Sequence, residues 1–140
     1  ALTLTFTRGG RTGAAIATGA GTVTGTTVGA PNTWTPSCSS SSTAGEQAYY
    51  FLSCPTIVPT VAASTCTTPT SWDSVIYLRK AGVGTDVTCN DDGLAPCGSV
   101  APIRLSSFTG ATGSGPGLYW LVVDGFLSTT GAYTLTYTIN

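Results

Sequence analysis

Apolar and polar residues alternate along much of the chain, and the alternation has the period of two expected of half-buried strands. Leu2, Leu4 and Phe6 alternate with Thr3, Thr5 and Thr7. Near the C-terminus, Tyr133, Leu135, Tyr137 and Ile139 alternate with Thr134, Thr136 and Thr138. Between these ends the pattern predicts strands at 47–53, 72–79, 85–89, 100–105 and 118–123, with weaker segments at 16–18, 23–28 and 57–62. The 118–123 run is nearly all apolar and predicts a central strand. Pro55 and Pro59 limit the 57–62 segment. No stretch reads as a helix. Short strands separated by Gly, Pro, Ser and Asn clusters predict an all-β fold, an antiparallel β-sandwich of jelly-roll type. The Ser39–Ser42 run reads as a small low-complexity loop. With no long linker and no charge block, residues 1–140 read as one domain, with residues 1–20 as an N-terminal strand extension.

Composition sharpens this picture. Of the 140 residues only 8% are charged and 41% are hydrophobic, a balance unlike that of disordered chains. A net charge of −1 offers no basic stripe, which argues against nucleic acid as a partner. The chain has no His, which excludes a Ser-His-Asp or Cys-His catalytic set and any His-ligated metal. No apolar stretch is long enough for a membrane-spanning helix. The start at Ala1 is that expected of a mature secreted chain, or of a chosen boundary.

The five cysteines suit an oxidising, extracellular setting. Cys54 and Cys66 flank a segment that could fold back as a hairpin, and Cys89 and Cys97 flank a short loop. The expected bridges are therefore Cys54–Cys66 and Cys89–Cys97, leaving Cys38 free, buried or joined to another chain.

Four of the six carboxylates lie at predicted strand ends. A hairpin from Trp72 to Asp92, turning near Gly82, places Leu78 opposite Val87 and Ile76 opposite Cys89. Asp73 then faces Asn90-Asp91-Asp92-Gly93. Three carboxylates held close repel one another and call for a cation, and hard oxygen ligands suit calcium. The alternative is an ordinary Asn-Asp-Asp-Gly turn with solvated carboxylates. A hairpin turn accounts for Asp124-Gly125, and Asp86 and Glu46 have no evident partner. No pair of carboxylates is set up for glycoside hydrolysis, so the chain reads as a non-enzyme.

The segments SWDSVIYLRK, TCNDDG, GLYWLVVDGF and GAYTLTYTI, in that order, resemble the bacterial pre-peptidase C-terminal domain family. Upstream, GTVTGTTVGAPNTW and AYYFLSCP are similar to the opening strands of that family. The resemblance spans Thr22 to Ile139. It implies a jelly-roll-like β-sandwich, secretion, no catalysis, and, in some members, binding of calcium, polysaccharide or collagen. By motif, Asp73, Asn90, Asp91 and Asp92 match the acidic turn region, which favours calcium.

Two functions compete. In the first, the chain is an extracellular structural protein that self-assembles into a homo-oligomer or filament: Leu2, Leu4 and Phe6 fill a neighbour's groove by strand addition. The alternative to donation is pairing of residues 2–7 within their own domain. In the second, the chain is a secreted module that binds carbohydrate or matrix protein through exposed aromatics. Trp34, in a Pro-flanked loop, is the surface candidate for that role, whereas Trp72 and Trp120 sit in strong strands and read as core.

Overall fold

The structure is a computed structural model that describes residues 6–8, 11–93, 97 and 104–140. Leu2 and Leu4 therefore lie outside the described residues, as does most of the segment predicted as a strand at 100–105. All regular elements among the described residues are strands: β1 (Phe6–Arg8), β2 (Arg11–Ala15), β3 (Gly19–Thr26), β4 (Gln47–Ser53), β5 (Thr60–Thr67), β6 (Ser74–Lys80), β7 (Asp86–Asn90), β8 (Ser107–Thr112), β9 (Gly117–Gly125) and β10 (Ala132–Ile139). They form a six-stranded sheet in the order β1-β2-β4-β9-β6-β7 and a four-stranded sheet in the order β3-β10-β5-β8. The all-β, two-sheet sandwich is thus the architecture. Pairing is antiparallel except for a short parallel contact of β2 with β4.

Alternation builds the space between the sheets. Tyr49 and Phe51 of β4, Ile76 and Leu78 of β6, and Tyr119, Leu121 and Val123 of β9 meet Val61, Ala63, Tyr133, Leu135, Tyr137 and Ile139 of the smaller sheet. The hydroxyls of Tyr49 and Tyr133 meet at 2.7 Å, so these two buried phenols satisfy each other.

The even-numbered positions of β9 are buried as well. Trp120 and Val122 join Ala48, Tyr50, Val75, Tyr77 and Trp34 in a second cluster on the outer face of the six-stranded sheet. Its cover is the connection between β3 and β4. Trp34, expected at the surface, is only 5% exposed. Its ring meets Trp120 edge-on at 5.5 Å, and the Arg79 guanidinium lies 5.5 Å from its centroid. The Pro-flanked loop that carries Trp34 folds onto the sheet instead of standing off it. Trp72 is half-buried and donates its Nε1–H to the carbonyl of Ala132 at 2.8 Å.

The disulfides differ from expectation. Cys38 pairs with Cys89 and Cys66 with Cys97, and Cys54 is free and exposed. The expected Cys54–Cys66 hairpin does not exist, because β4 and β5 belong to different sheets. β5 extends through Cys66 to Thr67, away from Cys54. The β6–β7 register also differs. Tyr77 faces Cys89, Leu78 faces Thr88 and Arg79 faces Asp86, because a bulge absorbs Val87.

The strand edges are treated unequally. Along β7, Ser37 N donates to Asp86 Oδ2 at 2.7 Å, the Cys38–Cys89 bridge follows, and Arg79 Nη2 reaches the Thr35 carbonyl at 3.0 Å. The loop around Cys38 thus covers that edge. β3 has no such cover among the described residues. β1 pairs only with β2, through Phe6–Gly13, Thr7–Thr12 and Arg8–Arg11.

The Cys38–Cys89 bridge closes a loop across 51 positions. Replacing both cysteines by Ser should cost about 4 kcal/mol in the chain-entropy picture. Cys54→Ser, at an exposed site, should change stability by less than about 0.5 kcal/mol. Denaturant unfolding of the variants checks both values, and non-reducing peptide mapping checks the pairing.

Candidate functional site

The predicted acidic corner forms where the chain enters β6 and leaves β7. Asp73 immediately precedes β6, and Asn90 ends β7 opposite Ile76. The carbonyl of Asp73 is fixed by Phe126 N at 3.0 Å and Thr129 Oγ1 at 2.6 Å, which ties this corner to the loop after β9. Asn90 Oδ1 accepts from Ser107 N at 2.9 Å and so links β7 to β8. Asp92 pairs with Arg104 at 2.7 Å. Both side chains of this pair are well exposed, so it contributes little to stability.

Electrostatics bind the group together. Burial, then repulsion from Asp91 and Asp92, pushes the Asp73 carboxyl up to about 6, with Arg104 opposing the shift. Asp91 is also raised, by burial first and Asp92 second, with Ser39 and Arg104 opposing the shift. Asp73 Oδ1 and Asp91 Oδ1 are buried and accept no hydrogen bond from any described residue. Buried acceptors without partners are costly. Their hard oxygens have the chemistry of a calcium ligand, but calcium takes six to eight oxygens. Among the described residues no three His, Cys, Asp or Glu side chains are gathered closely enough to hold a metal. The nearest fixed cation is the Arg104 guanidinium.

Three further acids prove structural: Glu46 and Asp86, without an evident partner in the sequence, and Asp124, read there as part of a turn. Glu46 accepts from Thr33 N at 2.8 Å, from Trp34 N at 2.9 Å and from the Thr33 hydroxyl, which shapes the loop that covers the outer face. Asp86 pairs with Arg79 at 2.6 Å. Asp124 is fully buried rather than placed in a solvated turn. Its Oδ1 accepts from Gly125 N at 2.7 Å and Ser42 Oγ at 3.2 Å, and its Oδ2 accepts from the Tyr77 hydroxyl at 3.4 Å. Burial raises its pKa to about 7, with Glu46 adding repulsion and the hydrogen bonds opposing. The Ser-rich run, read as a plain loop, contributes Ser42 to this buried network. Nothing in its sequence signals that contact, which depends on where the loop lands.

The free edges form the second candidate site. Phe6, predicted to be in an assembly strand, lies in β1 at the margin of the six-stranded sheet. An open cavity of about 290 Å³ near the end of β4 is lined by Phe51, Leu52, Cys54, Ile57, Pro59 and Ile139.

No family model matches the sequence, and the sequence matches no curated protein. A solved structure similar to this chain is the pre-peptidase C-terminal domain of collagenase from Bacillus anthracis. The two share 11% identity with a TM-score of 0.46, over 90% of this chain and 92% of that one. At that identity the likeness concerns fold alone.

Asp124 gives the fold a pH signature. Its unfolded value is near 3.8 and its folded value about 7, so the folded state holds the proton more tightly. Between these values the unfolded chain ionises first, and stability falls as pH rises from about 4 to about 7. Asp73, raised to about 6, acts in the same direction. Melting temperature measured against pH should decline across that window. Asp124→Asn, which keeps the acceptor for Gly125 N, should flatten most of the decline.

Proposed function

We propose that this chain is a non-enzymatic, extracellular structural module that associates with copies of itself through its N-terminal strand. The observation that carries this reading is the state of β1, which has one strand partner, β2, and an open edge on its other side among the described residues. The outer strand of a sheet presents unpaired N–H and C=O groups on its free side, a template for pairing with another chain. Upstream lie Leu2 and Leu4, whose exposure at an edge would be an aggregation liability if left unpaired. Two disulfides support a location in an oxidising, extracellular compartment. Among the described residues no helix is long and apolar enough to cross a membrane. The reading as a carbohydrate- or matrix-binding module loses its main support, since Trp34 is packed against Trp120.

Calcium belongs to this proposal as the ion of the acidic corner. The orphaned oxygens of Asp73 and Asp91 support it, with Asn90 and Asp92 as the neighbouring oxygen donors. The mutual repulsion that raises Asp73 and Asp91 would be relieved by a bound cation.

Deletion of residues 1–8 tests self-association. Size exclusion and negative-stain imaging of the full chain should show large assemblies, and the shortened chain should be monomeric with a melting temperature within about 4 °C of the full chain. A full chain that stays monomeric at high concentration refutes the reading. For calcium, the melting temperature should rise with calcium concentration and fall with chelator. Superimposable melting curves, or an unchanged response in Asp73→Asn, exclude the ion.

A further inference from the structure

We propose that the free edge of β3 is the acceptor for residues 2–7 of a second copy, so that assembly joins the six-stranded sheet of one molecule to the four-stranded sheet of the next. The inference rests on the self-association reading above and adds the surface that receives the strand.

The unprotected condition of β3 makes it the candidate. It pairs with β10 at all eight positions, from Gly19–Ile139 to Thr26–Ala132, with no bulge. Its residues, GAGTVTGT, include no charge and no Pro. Edge strands are normally blunted by Lys, Pro, a bulge or a covering loop. β7 has its loop and disulfide, and β8 is interrupted by a register shift against β5. β3, an unbroken eight-residue edge, has none of these devices among the described residues.

The surface pattern of β3 specifies what fits beside it. Thr22, Thr24 and Thr26 are exposed, and Gly21, Val23 and Gly25 are half-buried on the opposite face. The two glycines are required by their neighbours on β10. A Cβ at Gly21 would sit 2.3 Å from the Tyr137 ring, and one at Gly25 would sit 2.5 Å from the Tyr133 hydroxyl. The tyrosines thus lie across the two glycines, and Val23 stands between them on the same apolar face. The incoming strand should carry bulk on that face and Thr on the other. Residues 2–7, LTLTFT, have this composition.

Placing Leu4 opposite Val23 brings Leu2 and Phe6 beside the two glycines in either strand direction. Thr3 and Thr5 then fall opposite Thr22 and Thr24, as cross-strand Thr–Thr pairs. Neither strand carries a charge to oppose the match. β1 can remain paired with β2 and use its open edge, so no existing ladder has to break. Because donor and acceptor are different surfaces, the contact is heterologous and propagates as a filament unless the rotation closes a ring.

Hydrogen exchange on the full, unmodified chain tests the acceptor. Amides of residues 19–26 should exchange at least about tenfold more slowly in the assembled state than in the chain lacking residues 1–8, with β8 unchanged. Val23→Lys, an inward charge on the edge, should abolish assembly and the binding of a synthetic peptide of residues 1–8 to the shortened chain. Circular dichroism checks that this variant folds, and exchange on the unmodified chain decides the matter if it does not. Protection on β7 or β8, with assembly still dependent on residues 1–8, overturns the acceptor and leaves self-association standing. Equal protection of β3 in the shortened chain overturns the donor and points to β3 pairing with itself. Protection of β3 within a monomer overturns the intermolecular contact. A shortened chain that assembles like the full one overturns both proposals.

Discussion

A six-stranded sheet that buries both faces needs two covers, and the smaller sheet supplies only one. The other is the loop from Thr27 to Glu46, which has no regular structure of its own. Everything on the outer face depends on the contact between Trp34 and Trp120, because it seats that loop over β9. Glu46 holds the backbone of Thr33 and Trp34, so the indole arrives in one orientation. Arg79 lies against Trp34 and Tyr77 and is neutralised by Asp86, whose side chain is almost wholly buried. A charged residue at the end of β6 thereby becomes part of an aromatic cluster.

The same cover explains how β7 is protected. A short strand with half-buried residues throughout would otherwise be an open edge. The loop that carries Trp34 continues to Ser37 and Cys38, and these lie along β7. Packing on the sheet face and protection of the sheet edge are thus performed by one stretch of chain. The stretch also delivers Ser42 to Asp124, adding a second hydroxyl to the one that Tyr77 offers this buried carboxyl.

Much of this was legible in the sequence where both faces of a strand have distinct chemistry. β4 and β10 have the predicted boundaries, and β6, β7 and β9 differ by a residue or two, because alternation or a continuous apolar run marks them. β2 and β8 were not legible. Arg-Thr-Gly-Ala-Ala and Ser-Phe-Thr-Gly-Ala-Thr show no apolar alternation, and β8 fully buries only Ser107. The cysteine pairing failed because nearness in sequence was taken for nearness in space, while the chain changes sheets between Cys54 and Cys66. Antiparallel pairing brings Asp73 within reach of the charges of Asp91 and Asp92 despite the one-residue slip at the bulge, but not into a metal-holding group among the described residues. Burial of Asp124 could not be read, since Asp-Gly is an ordinary turn signal and its environment comes from residues 82 positions away.

The two disulfides have a bearing on damage. The ring closed by Cys38 and Cys89 contains the exposed connection between β4 and β5, where Ile57 and Val58 face outward. Chain tips of this kind are where proteases cut first. A single cut there would leave two polypeptides, yet both halves would stay tied through Cys38–Cys89, with β4 and β6 each still hydrogen-bonded to β9. The connection can be severed without the molecule coming apart.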